Sequence, residues 1–175
     1  VQASPSIIHI ATHGFFFPEN DEKKALESDP VFKASNDPMM RSGLILSGGN
    51  YTWKTGKIYP GETEDGILTA REISQLDLSD TELVVLSACE TGLGEIKGDE
   101  GVYGLQRAFK LAGVNHLIMS LWQVPDGQTS ELMAAFYTHW LQEKMAIPEA
   151  FSKAQQAIKT KYEHPYFWAG FVLLR

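Results

Sequence analysis

Four short apolar runs, separated by loops and by segments with helical periodicity, restrict the architectures that this chain can adopt. The runs cover residues 6–11, 83–88, 116–122 and 166–174, and Gly14 follows closely after the first. Continuous apolar runs of this length are typical of strands that are buried on both faces of a parallel sheet. We therefore predict a parallel sheet at the centre of the domain.

Segments with helical periodicity lie between these runs. Apolar residues recur every three or four positions from Val102 to Ala112, and Gly113 follows as a C-terminal glycine. A second helix is predicted from about 129 to 144, and a third begins at Pro148. Alternating strands and helices favour an α/β fold with a mostly parallel central sheet and helices on both faces.

The segment between the first two runs breaks this alternation. Residues 18–41 are rich in charge and proline, and we predict a flexible surface insertion there. Residues 42–69 are predicted to form an inserted β-hairpin, with short strands at 43–47 and 66–69 around the glycines at 48–49. Thr69 and Glu72 have the spacing of a capping box, which opens a short helix.

Composition argues against several classes of function. The chain carries 15 Lys and Arg against 22 Asp and Glu, a net charge of −7 without a basic cluster, so we expect no direct nucleic-acid binding. No apolar run approaches the roughly 20 residues that cross a bilayer, and we expect no membrane contact. The single cysteine excludes an internal disulfide and a Cys-rich zinc site. No metal, nucleotide or other cofactor is implied, and we expect a cytoplasmic domain.

The 175 residues are the length of one domain, and we predict a single domain over residues 1–175. Because the chain begins with Val1 instead of Met, we expect it to be an excerpt of a longer polypeptide.

Two residues capable of nucleophilic catalysis fall at the predicted carboxyl edge of the sheet, where open parallel sheets bind ligands. His13 follows the first run and Cys89 follows the second, and each is followed closely by a glycine, Gly14 or Gly92. If the two strands are neighbours, they place a thiol nucleophile beside an imidazole base. The alternative is a small buried cysteine and a histidine in an ordinary turn. Composition and spacing leave both interpretations open.

The motifs around these two residues are more informative about function than the spacing between the residues. They lie at residues 9–14 (HIATHG), 86–94 (LSACETGLG), 98–109, 120–126 and 164–169. Together they closely resemble CHAT domains, which are caspase-like cysteine peptidase domains often attached to tetratricopeptide repeats. The resemblance extends over nearly the whole chain, and residues 18–41 match least.

This resemblance implies a fold and a chemistry. The fold is the caspase-hemoglobinase fold, with His13 as catalytic histidine and Cys89 as nucleophile. The backbone N–H groups of Gly14 and Cys89 would hold the oxyanion, as preformed main-chain donors can. The family further implies a protein substrate, control by a repeat or sensor module in the same polypeptide or complex, and a setting in bacterial signalling or defence. The caspase signature around the cysteine is absent, so the caspase preference for Asp is not expected.

Asp126 follows the third apolar run, again at the predicted carboxyl edge of the sheet, and has two interpretations. Residues 121–126 resemble separase, a relative that cleaves after arginine, and on that analogy Asp126 binds a basic side chain of the substrate. The alternative is that Asp126 caps the helix beginning near Gly127, since Asp is a preferred N-cap residue.

A different class of function also fits the sequence. A catalytically silent caspase-like scaffold that binds partner proteins would have the same fold and motifs. Retention of both His13 and Cys89 favours the peptidase. A flavodoxin-like nucleotide-binding or receiver domain is disfavoured, because residues 12–14 provide neither an acidic cluster nor a phosphate loop.

Overall fold

A computed structural model describes residues 3–17, 35, 37–87 and 100–175. Along the chain the elements are β1 (Ile7–Ile10), β2 (His13–Phe16), β3 (Ser42–Ile45), α1 (Gly49–Thr55), β4 (Ile67–Thr69), α2 (Ala70–Ile73), β5 (Leu83–Leu86), α3 (Glu100–Leu111), β6 (His116–Ser120), α4 (Asp126–Tyr137), α5 (Ile147–Lys161) and β7 (Phe171–Leu174). A π-helical segment at Thr138–Gln142 continues α4, and a 3₁₀ turn at Pro165–Phe167 precedes β7.

The central sheet has the order β1-β5-β6-β7. The pairs β1–β5 and β5–β6 are parallel, whereas β7 runs antiparallel to β6. Val84 of β5 faces the core cluster that contains Phe109 of α3, and its neighbour Val85 faces the cluster that contains Phe136 of α4. Alternate residues of the strand thus pack on opposite faces, as a pleated strand requires. The predicted α/β class, with a mostly parallel sheet covered on both faces, is confirmed.

Burial on both faces holds for the two inner strands and fails at the edges. β5 is fully buried, but β1 is half exposed and its Ile7 keeps 38% of its accessible surface. The expectation of complete burial was wrong for β1, because an edge strand has a neighbour on one side only. The apolar run at 166–174 likewise divides into the 3₁₀ turn at Pro165–Phe167 and the short antiparallel strand β7.

The predicted inserted segment at 42–69 contributes β3 and β4 to a second sheet of order β2-β3-β4, whose third strand, β2, lies before the insertion in sequence. Both pairs are antiparallel, with Leu44 of β3 opposite Gly14 of β2 and Leu68 of β4. The two predicted strands are therefore present and adjacent. However, α1 lies between them in sequence, so the glycines at 48–49 begin a helix instead of making a tight hairpin turn.

The helices begin and end near their predicted positions. Glu72 N–H donates to Thr69 Oγ1 (3.2 Å) and Thr69 N–H donates to Glu72 Oε2 (2.7 Å), which completes the predicted capping box of α2. Gly113 follows α3 with a φ of 99°, a left-handed conformation that favours glycine. The second predicted helix begins earlier than expected, at Asp126.

Most of the predicted flexible insertion at 18–41 lies outside the described residues. Within its described part, Arg41 is 3% exposed and Asp37 makes a 2.9 Å ion pair with Arg71. The end of the insertion is therefore packed against the domain instead of being free in solvent. In the described ranges, no helix is long and apolar enough to span a bilayer.

Candidate active site

The parallel strands β1, β5 and β6 end at one edge of the central sheet, and the predicted site residues follow these ends. His13 lies three positions beyond β1, and Asp126 opens α4 after β6. Both line one cavity of about 240 Å³, together with Ser87, which follows β5. The structure thus brings His13 and Asp126 to the same cavity at the predicted edge.

His13 is the first residue of β2 and its side chain is exposed. Its backbone is fixed by the second sheet, where it lies opposite Ile45. The hydroxyl of the preceding Thr12 donates a hydrogen bond to the carbonyl of Ile45. This corner between the two sheets holds the imidazole at the cavity while leaving the ring accessible.

The N–H of Gly14 points away from β3. In the adjoining pairing, the N–H of Phe17 donates to the carbonyl of Arg41 (2.8 Å). Hydrogen-bonded and non-hydrogen-bonded pairs alternate along antiparallel strands. Counting back along the register, Gly14 and Leu44 form a non-hydrogen-bonded pair, whose N–H groups are directed outward. The backbone donor next to His13 is thus oriented away from the strand that pairs with it.

Cys89 lies outside the described residues, as does Gly92. The described chain after β5 stops at Ser87, two positions before Cys89 in the sequence. The predicted pairing of the Cys89 thiol with His13, and the oxyanion role of the Cys89 N–H, therefore stay predictions.

Asp126 is the first residue of α4, and Pro125 is the N-cap. The α4 terminus has no side-chain capping hydrogen bond, so the interpretation of Asp126 as the N-cap was wrong. Asp126 instead lines the cavity of His13 and a second, adjoining cavity of about 480 Å³. A negative side chain in the first turn also interacts favourably with the helix dipole.

The second cavity contains a hydrogen-bonded group to which the sequence had assigned no role. His9 of β1 bonds through Nε2 to Ser87 Oγ (3.1 Å) and through Nδ1 to the hydroxyl of Tyr137 (2.9 Å). Partial burial lowers the pKa of His9 below its ordinary 6.5 and raises the pKa of Tyr137 above 10.0. The only signal in the sequence was a polar residue within an apolar run. Among the described side chains, no group of three or more His, Cys, Asp or Glu could hold a metal ion.

Comparison with known proteins identifies the family. The model of the CHAT domain family matches residues 1–175. Tetratricopeptide repeat protein 28 of Mus musculus and its Homo sapiens counterpart are each 34% identical to the chain over 111 residues. Each alignment covers 62% of this chain and 4% of the relative, so the chain spans only a small part of the length of the proteins it matches.

Proposed function

This chain belongs to the CHAT family, and on that premise we propose that it is a cysteine endopeptidase domain with a caspase-hemoglobinase fold, acting through Cys89 and His13. The observation that carries the proposal is the cavity at the carboxyl edge of the sheet, which His13 and Asp126 line beside Ser87. Peptide hydrolysis uses an imidazole and a carboxylate, which His13 and Asp126 bring to this cavity, and a backbone donor such as the outward N–H of Gly14, the residue after His13.

The proposed reaction proceeds in two halves. The Cys89 sulfur attacks the scissile carbonyl carbon, and the thiol proton passes to His13. The oxyanion accepts hydrogen bonds from the N–H groups of Gly14 and Cys89 until the C–N bond breaks, and His13 then protonates the leaving amine. A water that gives its proton to His13 attacks the thioester, and cleavage of the C–S bond releases the acid product and restores the thiol.

The outward direction of the Gly14 N–H supports its place in this reaction. A donor that already points away from its own sheet needs no rearrangement to meet the developing charge. A residue at this position with its N–H bonded to β3 could not contribute. In this proposal, two consecutive residues of β2 provide the base, which is the His13 side chain, and one oxyanion donor, which is the Gly14 N–H.

Asp126 is the proposed selectivity residue. Asp126 lines the cavity of His13, and it is not the N-cap of α4. A guanidinium can donate two parallel hydrogen bonds to a carboxylate, whereas an ammonium binds as a point charge. We therefore expect cleavage after basic residues, with arginine preferred to lysine.

The name of the mammalian relatives refers to tetratricopeptide repeats, which supports a repeat module as the partner of this domain. We propose that such a module, in the same polypeptide or complex, controls the peptidase. The bacterial setting rests on the family resemblance alone and stays a prediction.

Turnover of fluorogenic peptides tests the proposed function. Peptides with Arg, Lys, Gln or Leu before the reporter are incubated with wild-type chain, Cys89→Ala and His13→Ala. Hydrolysis by the wild type that is lost in both variants would support the proposed peptidase activity. If addition of tetratricopeptide-repeat partners also leaves the wild type without turnover, the scaffold alternative explains the chain better.

A further inference from the structure

The hydrogen-bonded group of His9, Ser87 and Tyr137 joins three separate elements next to the proposed active site. His9 belongs to β1, Ser87 follows β5 and Tyr137 ends α4. The imidazole lies between the two hydroxyls, at 3.1 Å from Ser87 Oγ and 2.9 Å from Tyr137 Oη. The rings of His9 and Tyr137 are also in contact, with centroids 5.8 Å apart.

The sheet register explains why His9 reaches Ser87. His9 lies opposite Val85 in the parallel pair, and Ser87 is two residues further along the same strand direction. Side chains two residues apart point to the same face of a strand. The Ser87 N–H also donates to the carbonyl of Ile10 (3.1 Å), so side chain and backbone both fasten this strand end to β1.

The two strand ends tied in this way lead to the two proposed catalytic residues. From His9, four positions along the chain lead to His13, and from Ser87, two positions lead to Cys89. A change in the separation of these ends would change the separation of the residues that follow them. The His9 ring therefore holds together the two strand ends that His13 and Cys89 follow in sequence.

The two hydrogen bonds to the His9 ring depend on one another. A neutral imidazole has one N–H donor and one acceptor nitrogen, so one hydroxyl donates to the ring while the other accepts from it. The titratable residues among the described lining of this cavity are His9, Asp126 and Tyr137. Because burial disfavours the charged forms of His9 and Tyr137, both are neutral near pH 7. The hydrogen bond between Tyr137 and Nδ1 therefore helps to determine whether Nε2 donates to Ser87 Oγ or accepts from it.

We propose that His9, held by Tyr137, is a positioning residue that fixes Ser87 and thereby the approach of the nucleophile to His13. This inference rests on the proposed function, since it assigns no chemistry of its own to His9. His9 is only partly buried and its ring lines an open cavity of about 480 Å³, so filling the core does not explain its position.

Alkylation of Cys89 by iodoacetamide tests this role. Cys89 is the only cysteine, so the thiol kinetics of the 175-residue chain report on it alone. The rate is measured from pH 5 to 10 for wild type, Tyr137→Phe, His9→Gln and His13→Ala. Tyr137→Phe removes one hydroxyl and keeps the ring. Its matched control is Tyr162→Phe, which removes a hydroxyl that donates to Glu131 (3.0 Å) of α4, the helix that Tyr137 ends.

The control for His9→Gln is His116→Gln, since His116 Nδ1 lies 3.3 Å from the carbonyl of Glu82 at the opposite end of the sheet. We expect Tyr137→Phe and His9→Gln to slow alkylation at pH 7 by about fivefold, the effect of one neutral hydrogen bond. Their pH midpoints should move toward about 8.5, the value of an ordinary thiol. The two control variants should retain the wild-type rate and midpoint.

The outcomes separate this inference from the proposed function. Slow alkylation in His13→Ala beside wild-type kinetics in Tyr137→Phe and His9→Gln would overturn the positioning role alone. Wild-type kinetics in His13→Ala would contradict the Cys89–His13 pair itself. A purely structural role for Tyr137 predicts equal thiol kinetics in Tyr137→Phe and Tyr162→Phe, with similar losses of thermal stability.

Discussion

Replacement of Asp126 by Asn isolates the charge that we assign to substrate selection. The two side chains have nearly the same shape, so the cavity that Asp126 shares with His13 keeps its volume. Because Pro125 is the N-cap and no side chain caps α4, the substitution removes no capping hydrogen bond. Loss of the negative charge from the first turn should cost less than about 1 kcal/mol of folding free energy. The main effect should therefore fall on substrate recognition.

The expected size follows from the exposure of the carboxylate. A hydrogen bond to a charged group contributes about 1.5–3 kcal/mol, and solvent screening of an exposed pair favours the lower end. Since Asp126 is exposed, we expect a loss of about 1.5 kcal/mol, or about tenfold in kcat/KM, for substrates with Arg before the scissile bond. Substrates with a neutral residue there should change less than about twofold.

The assay compares kcat/KM for matched Arg and Gln peptides in wild type, Asp126→Asn and the control Asp80→Asn. Asp80 is an exposed carboxylate before β5, at the other end of the sheet. The Arg preference of the wild type should weaken with rising salt, whereas that of Asp126→Asn should not. An unchanged Arg-to-Gln ratio in Asp126→Asn would refute the assignment, whatever the effect on absolute rates.

Three further predictions concern stability. Gly43→Ala should cost about 1–3 kcal/mol in urea unfolding, because its Cβ would lie 2.4 Å from the Leu68 carbonyl oxygen. In Gly14→Ala the new Cβ would lie 3.6 Å from its nearest neighbour, the Gly43 carbonyl oxygen, so this variant should unfold like the wild type. Equal losses of stability in the two variants would contradict the close packing of Gly43 against Leu68. Phe136→Ala should cost about 3–5 kcal/mol in the same assay, because Phe136 is fully buried, and a loss below about 1 kcal/mol would be inconsistent with its place in the core. Because the pKa of His9 is lowered in the folded state, its contribution to stability is present above pH 6.5 and lost as pH falls through the folded-state pKa. His9→Gln should therefore flatten this part of the stability–pH curve. A curve that the substitution leaves unaltered would argue against the lowered pKa of His9.

The sequence predicted the inner strands better than the edges of the sheet. β5 and β6 are apolar because both their faces are covered, and such runs are distinctive in sequence. β1 has a similar run, but whether a strand lies inside or at the edge depends on which strands pair with it. The pairing is set by contacts between residues distant in sequence, so the half exposure of β1 could not be read from residues 6–11.

The candidate site was predictable to the extent that it follows strand ends. Since parallel strands end at the same edge, the positions of His13 and Asp126 after their strands predicted a shared site, and both line one cavity. The capping role of Asp126 depended on whether the helix begins one residue earlier or later, which helix signals in sequence do not resolve. The contact between His9 and Tyr137 joins residues 128 positions apart and had no local signal.

Covalent labelling by peptidyl acyloxymethyl ketones, read by intact mass, tests the central claim most directly. These probes carry Arg, Lys or neutral residues at the position that would precede the scissile bond, and they react with an activated cysteine nucleophile. We expect rapid addition of one probe to Cys89 in the wild type, fastest with Arg, and its loss in His13→Ala. Equal labelling of wild type and His13→Ala would contradict the proposed pair of nucleophile and base.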